Sequence, residues 1–73
     1  MNSQYLLAFD LPRELDAERK RINRELRAIN ADMVQHSFWK SGNLRELMSL
    51  AVFIKNSGGS ARILEEKLIF GNE

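Results

Sequence analysis

Hydrophobic and polar positions in the first part of the chain predict a strand followed by a helix. Residues 4–9 form a short, mostly apolar run that ends at Asp10-Leu11-Pro12, where the proline disfavours helix in the residue before it. A nearly continuous apolar strand is typical of one covered on both faces at the centre of a sheet. From about residue 12 to residue 29, apolar positions recur at spacings of seven, four and three, which predicts one helical stripe of Leu15, Ile22, Leu26 and Ile29.

The second half of the chain predicts another strand, another helix and a closing extended segment. Residues 31–40 are rich in β-prone side chains separated by polar ones, which favours a strand. Asn43, with Glu46 three residues later, predicts a capping box at the start of the second helix. The expected apolar stripe of that helix is Leu44, Leu47, Met48, Ala51 and Ile54. Residues 60–70 are predicted to be extended, with an interruption at Glu65-Glu66.

The predicted order β-α-β-α-β favours an α/β sandwich, in which both helices pack on one face of a small sheet. The opposite face of such a sheet lies bare in a single chain. The simplest cover is the same face of a second copy, so we expect a homodimer. Association also suits the length, because 73 residues make a single domain, 1–73, with a small core.

Composition narrows the chemistry further. With no cysteine and one histidine, the chain holds neither disulfides nor a thiolate or all-histidine metal site. Its formal net charge of +1 means that contact with nucleic acid depends on local charge. No apolar run approaches the roughly 18 residues of a membrane span, and no charged start precedes a long apolar stretch. We therefore expect a soluble, cytoplasmic protein with no membrane partner.

Asp10 is the first candidate for chemistry, because it ends a strand just before a loop, where the sites of α/β sheets tend to collect. A carboxylate there can bind a hard cation such as Mg²⁺, which keeps several waters and needs only one or two carboxylates. A two-fold axis near the strand end would bring the Asp10 of a second copy to the same ion. Alternatively, Asp10 accepts backbone hydrogen bonds in the following turn or caps the helix.

Basic side chains of the first helix form the second candidate. Three of them share one helix face and can bind phosphates without sequence preference: Lys20, Arg24 and Arg27. Alternatively, this face is simply solvated, with Glu18 and Glu25 interleaved. Arg13 and Arg19 lie closer to Asp10 in the sequence and are better placed to contact a phosphate held there.

The segment around Trp39 is the third candidate. His36 and Ser37 are adjacent, so on a strand they point to opposite faces and cannot act together as base and nucleophile. This excludes a serine hydrolase built on them. Phe38 and Trp39 either stack on bases or belong to the core or a dimer interface. Gly58-Gly59 lacks the following Lys and Ser or Thr of a phosphate-binding loop and marks a helix end.

Several segments together resemble one family. Phe9-Asp10-Leu11-Pro12 resembles the aromatic-Asp-Ile-Pro signature that ends the first strand of the small CRISPR-associated endoribonucleases, the dimeric partners of the spacer integrase in CRISPR adaptation. Residues 34–39 (Val-Gln-His-Ser-Phe-Trp) resemble that family's Val-Gln-x-Ser-Val-Phe strand. Arg19-Lys20-Arg21 and Ala61-Arg62-Ile63-Leu64 resemble its basic first helix and its Val-Arg-Ile-Tyr strand. The virulence-associated protein D toxins share the Ala-Phe-Asp-Leu opening and are close competitors.

The resemblance implies a ferredoxin-like α/β sandwich, a homodimer across the sheet faces, and metal-dependent cleavage of RNA or DNA phosphodiesters. It implies Mg²⁺ bound at Asp10. It also implies backbone contacts by Arg19 and Lys20, and a site at the interface shaped by Ser37 and Trp39. The implied function is that of a CRISPR-adaptation protein of antiviral defence, with the spacer integrase as partner. A toxin-like ribonuclease and a non-catalytic dimerisation or assembly module are the alternatives.

Overall fold

Four strands and two helices follow one another in the order β-α-β-β-α-β. The computed structural model describes residues 3–67, 69 and 71. The elements are β1 (Tyr5–Asp10), α1 (Asp16–Ala28), β2 (Asp32–Gln35), β3 (Phe38–Ser41), α2 (Leu44–Asn56) and β4 (Ser60–Glu65). The strands form one antiparallel sheet in the order β2-β3-β1-β4, and the two helices share one core with the same sheet face. This arrangement confirms the predicted ferredoxin-like α/β sandwich.

β1 lies at the centre of the sheet, as its apolar run predicts. Leu7 is opposite Trp39 of β3 on one side and opposite Ile63 of β4 on the other. Leu7 and Phe9 are buried beneath the helices, whereas the even-numbered residues of β1 face the other way and are partly or fully exposed. The expected burial of both faces is therefore not met within one chain, because both helices lie on the same side.

The single strand predicted at residues 31–40 is wrong, because β2 and β3 form a hairpin there. The chain reverses at His36 and Ser37, where Ser37 has a positive φ of 63°. The carbonyl oxygen of Ser37 accepts a hydrogen bond from the N–H of Phe9 at 3.0 Å, which ties the turn to β1. The turn lacks the Asn-Gly or Asp-Gly pair that is the strongest hairpin signal in a sequence. His36 and Ser37 therefore lie on a turn and not on a strand.

α1 buries the predicted stripe but begins later than predicted. Ile22 and Leu26 are fully buried, and the stripe residues at the two ends pack partly against the same core. The residues after Pro12 form a turn in which the N–H of Leu15 donates to the Pro12 carbonyl at 3.1 Å. The helix therefore starts at Asp16, four residues beyond the predicted position.

α2 begins at the predicted cap, but its buried face is rotated relative to the prediction. Asn43 Oδ1 accepts from the Glu46 N–H at 3.1 Å, which confirms the cap. The second half of the predicted capping box is wrong, because the Asn43 N–H donates to Ser41 Oγ at 3.0 Å instead of to the Glu46 side chain. The buried residues are Leu47, Leu50 and Ile54. Leu44 and Met48, which the sequence assigned to the stripe, are 37% and 53% exposed. The three buried positions define a face that turns both of these side chains toward solvent.

β4 ends at Glu65, where the sequence predicts the interruption. Ala61 and Ile63 pack against the core, whereas Leu64 points to the other side and is 46% exposed. Leu68 and Phe70 of the predicted extended segment lie outside the described residues. Within the described part of the chain, neither helix is long and apolar enough to cross a membrane.

The junction between α2 and β4 requires glycine at position 59. A Cβ on Gly59 would collide with the backbone carbonyl oxygen of Asp10 and press against Ile54 and Leu11. Gly59 therefore allows β4 to begin directly opposite the end of β1. At Gly42 the nearest contact of an added Cβ is the amide nitrogen of the Gln4 side chain, which can move.

We predict that Gly59→Ala lowers the free energy of unfolding by about 1–3 kcal/mol, because the backbone of β1 has to shift to admit the methyl group. Gly42→Ala is the matched control, and we expect a change within about 0.5 kcal/mol or a slight stabilisation. Urea unfolding followed by circular dichroism measures both variants. Equal effects of the two substitutions would contradict the close approach at Gly59.

Candidate functional site

Asp10 is the last residue of β1 and is exposed on the sheet face that the helices leave uncovered. We call this the bare face. β4 places Ser60 directly opposite Asp10, and Arg62 follows two residues later on the same face. These three side chains and their apolar neighbours line an open depression of about 290 Å³, the Asp10 corner. A carboxylate, a hydroxyl and a guanidinium therefore converge at the end of the central strand.

The Asp10 corner provides an incomplete metal site within one chain. Among the described residues, Asp10 is the one carboxylate that lines it. Across residues 3–67, 69 and 71, no three His, Asp or Glu side chains group closely enough to hold a metal ion. Mg²⁺ needs only one or two carboxylates and completes its shell with water, so Asp10 is chemically suited to this ion but offers it a single carboxylate from one chain. Ser60 offers a further oxygen, whereas Arg62 suits a phosphate oxygen.

The bare face has an apolar middle and charged margins. Two cross-strand rows cover it, Asp32–Lys40–Leu6–Leu64 and Gln35–Phe38–Ala8–Arg62. The side chains of Leu6, Ala8 and Phe38 are only partly buried, although β1 and β3 are the inner strands of the sheet. Lys40 Nζ lies 3.5 Å from Glu66 Oε2. This face therefore offers contiguous apolar surface together with charges of both signs.

Some basic side chains of α1 form ion pairs within the described part of the chain and others do not. Arg21 Nε donates to Glu25 Oε2 at 2.8 Å, and its guanidinium carbon lies 4.4 Å from the ring centroid of Phe53 on α2. Arg21 therefore ties α1 to α2, and it engages one of the acids expected to neutralise the basic face. The three predicted phosphate-binding side chains are exposed and form no ion pair with any described residue: Lys20, Arg24 and Arg27. Arg13 is exposed in the loop after Asp10.

A second cavity, the hairpin cavity, lies between α1 and the β2–β3 hairpin on the helix-covered side of the sheet. It has a volume of about 250 Å³ and is lined by Phe9, Arg19, Asn23, Met33, His36, Ser37 and Trp39. Arg19 is held in place because its Nη2 donates to the Leu11 carbonyl at 3.2 Å and its Nη1 donates to Asp16 Oδ1 at 3.3 Å. Trp39 is 3% exposed, and its Nε1 has no hydrogen-bond partner among the described residues.

The predicted site residues thus do not form one site: the basic residues just described lie exposed on α1 and in the loop after β1, and the others lie on opposite faces of the sheet. Asp10 lies on the bare face, because it follows the inward-facing Phe9. Arg19, Ser37 and Trp39 meet at the hairpin cavity beneath α1. The resemblance grouped Ser37 and Trp39 with Asp10, and Arg19 was expected to contact a phosphate held at Asp10. Within a single chain all three lie on the other side of the sheet from Asp10. Their functional roles stay predictions.

Sequence reasoning missed four polar side chains that the structure adds to these sites. Ser60 and Arg62 reach the Asp10 corner through the register of β1 with β4, which residue spacing does not reveal. Asn23 and His36 reach the hairpin cavity. Asn23 stands four residues after Arg19, so helical spacing places both on neighbouring positions and could have identified it. His36 was assigned to a strand, which hid its position on the turn.

No protein-family model matches the chain, and no relative is found among curated proteins. We therefore argue function from the residues at the Asp10 corner, the bare face and the exposed basic side chains of α1.

Proposed function

We propose that the protein is a nucleic-acid-binding homodimer that cleaves phosphodiester bonds of RNA or DNA with Mg²⁺. The observation that carries the proposal is the exposed carboxylate of Asp10 at the end of the central strand, on a sheet face that no helix covers. Arg62 and Ser60 beside it supply a cation and a hydroxyl suited to a phosphate. The role closest to this combination is that of the CRISPR-adaptation endoribonucleases that the sequence resembles, with the spacer integrase as partner.

The homodimer forms by pairing the bare faces of two copies. Leu6, Ala8 and Phe38 supply apolar surface at the middle of that face. In a two-fold symmetric dimer the same face of each chain meets itself. Charges of one sign would repel across such a contact, so the face must carry charges of both signs. Asp32 and Lys40 meet this requirement at the β2–β3 margin, because they stand opposite each other and each can approach the other residue of the second chain.

Two copies of Asp10 near the two-fold axis complete the metal site that one chain leaves open. When bound there, Mg²⁺ would stabilise charge developing on the scissile phosphate and activate a water molecule. Arg62 and Arg13 hold the phosphate group through charge-assisted hydrogen bonds. Ser60, which stands opposite Asp10 on β4, donates its hydroxyl to the phosphate.

The exposed basic side chains of α1 bind the nucleic-acid backbone. Lys20, Arg24 and Arg27 are not neutralised by ion pairs with described residues, so they are available to phosphates. Binding through them is independent of sequence, as backbone contacts carry no base information. A toxin-like ribonuclease would use the same residues, whereas an assembly module would need the bare face alone.

The dimer proposal predicts that Leu64→Lys weakens self-association by about a hundredfold or more, because it buries an unpaired charge in the paired faces. The matched control is Met48→Lys, which places the same charge at a similarly exposed position on α2. Sedimentation equilibrium measures the association of both variants and of the unchanged protein. If the unsubstituted protein stays monomeric at high concentration, or if the two variants weaken association equally, pairing through the bare face is contradicted.

The nuclease proposal predicts Mg²⁺-dependent cutting of labelled RNA or duplex DNA that EDTA abolishes. Asp10→Ala should lower the cleavage rate about a hundredfold or more, because the metal loses its protein ligand. Glu14→Ala removes an exposed carboxylate from the adjacent loop and should leave the rate unchanged.

Each other result has a defined meaning. Cutting that survives in Asp10→Ala places the activity elsewhere or in a contaminant. A folded dimer that cuts neither substrate contradicts the nuclease and favours the assembly module.

The basic-face proposal predicts that reversing the charges of Arg24 and Arg27 to Glu weakens nucleic-acid binding and flattens its dependence on salt. Each lost phosphate contact lowers the slope of log affinity against log salt concentration by about 0.7 to 0.9. Reversal of Arg45 and Lys55 on α2 makes the same change in net charge and is the control. Fluorescence anisotropy at several salt concentrations gives the slopes, and an unchanged slope in the α1 variant shows those side chains to be solvated surface.

A further inference from the structure

We propose that the hairpin cavity binds a terminal phosphate, the dianionic phosphomonoester group of a nucleotide or of an oligonucleotide end. This site is separate from the Asp10 corner, because the two lie on opposite faces of the sheet. It does not rest on the nuclease proposal, and either one can fail without the other.

The lining of the hairpin cavity favours an anion. Among the described residues no Asp or Glu lines it, whereas Arg19 does, and the charge of Arg19 is shared with the exposed Asp16 on the outer side. Asn23 adds an amide donor from the next turn of α1, and His36 and Ser37 add an imidazole and a hydroxyl from the β2–β3 turn. Polar side chains from α1 and from the β2–β3 turn therefore line the same cavity.

Arg19 is already ordered for binding. Its two contacts, to the Leu11 carbonyl and to Asp16 Oδ1, use one proton on each terminal nitrogen. Three of the five guanidinium N–H groups thus remain available to a ligand. The side chain is 34% exposed, so the guanidinium is partly desolvated and its hydrogen bonds to an oxyanion are correspondingly stronger.

Trp39 supplies an independent sign of a missing acceptor. The residue is 3% exposed, and its indole N–H donates to no described residue. Indole nitrogen is a donor only, and buried donors in folded proteins are nearly always paired. Nε1 is closed to solvent, so the proposal requires the wall of the cavity to move before a ligand oxygen can reach it. Met33 is the lining residue best suited to move, because its side chain is flexible and 52% exposed.

Size and charge select a phosphate end over a larger ligand. The cavity volume of about 250 Å³ lies just below the range of roughly 300–1,000 Å³ that holds complete drug-sized molecules. It suits one polyatomic anion whose remaining atoms continue into solvent. A phosphomonoester carries a charge of about −1.5 to −2 near neutral pH and presents three acceptor oxygens, which matches a cavity with several donors better than a diester does.

The test follows the indole N–H signal, since the chain contains a single tryptophan. The ¹⁵N-labelled 73-residue chain is titrated in EDTA with inorganic phosphate, against sodium chloride at equal ionic strength. EDTA keeps divalent ions from the Asp10 corner. We expect a saturable downfield shift of the indole proton with phosphate, caused by the new hydrogen bond, and none with chloride. A signal that does not respond to phosphate overturns the proposal.

Variants locate the binding. Arg19→Gln should weaken phosphate binding about tenfold or more, because a charge-assisted pair is lost. Arg45→Gln makes the same charge change at an exposed position on α2 and should leave the affinity unchanged. His36→Ala alters an exposed turn side chain without touching the core and should also weaken binding, which keeps the test valid if Arg19→Gln fails to fold. Equal affinities of His36→Ala and Arg45→Gln overturn the proposal.

Two further titrations identify the source of the phosphate. Octathymidylate with a 5′-phosphate is compared with the same oligonucleotide lacking it, and thymidine 5′-monophosphate forms the third arm. Stronger binding of the phosphorylated oligonucleotide, lost in His36→Ala, assigns the cavity to a nucleic-acid end. Binding of the mononucleotide alone assigns it to free nucleotides. Equal binding of both oligonucleotides together with no binding of the mononucleotide overturns the preference for a monoester.

Discussion

The burial of Leu7 and Phe9 beneath two helices is the constraint on which the other features depend. Right-handed crossovers in this strand order place both helices on the same side of the sheet, so one face of β1 is covered and the other is not. Side chains alternate along a strand, and Phe9 inward therefore means Asp10 outward. A shift of one residue in β1 would reverse both at once. The same packing that stabilises the fold thus exposes the carboxylate at the end of the central strand.

This alternation also separates the two cavities. On β3, Trp39 stands opposite Leu7 and is buried with it, while Phe38 stands opposite Ala8 and faces the other way. The hydrogen bond from the N–H of Phe9 to the carbonyl of Ser37 holds the β2–β3 turn against β1. The two sites therefore share the last residues of β1 as a common wall, although their ligands would approach from opposite sides of the sheet.

Much of the fold could be predicted from the sequence, because residues buried on one face of a helix or strand recur at regular spacings. The stripe through Ile22 and Leu26 and the cap at Asn43 are local signals, and the structure confirms them. The hairpin at His36 and Ser37 could not be predicted in this way, since its turn contains neither the glycine nor the asparagine that usually marks such a turn. The partners of Asp10 could not be predicted for a different reason. They depend on the register between strands 50 residues apart, which no local pattern encodes.

The charges of α1 show how a chain of formal net charge +1 can still present a basic surface. Positions around a helix advance by about 100° per residue, so the faces of α1 can be ordered from the sequence. The core stripe comes first, followed by Arg19 and Asn23 at the hairpin cavity, and then by the exposed basic face. Arg21 lies beyond that face and packs on Phe53. The cavity and the basic face are therefore neighbours along one helix. A polymer held by the basic face through its phosphates would have its end beside Trp39, whose indole N–H is the one buried side-chain donor without an acceptor among the described residues.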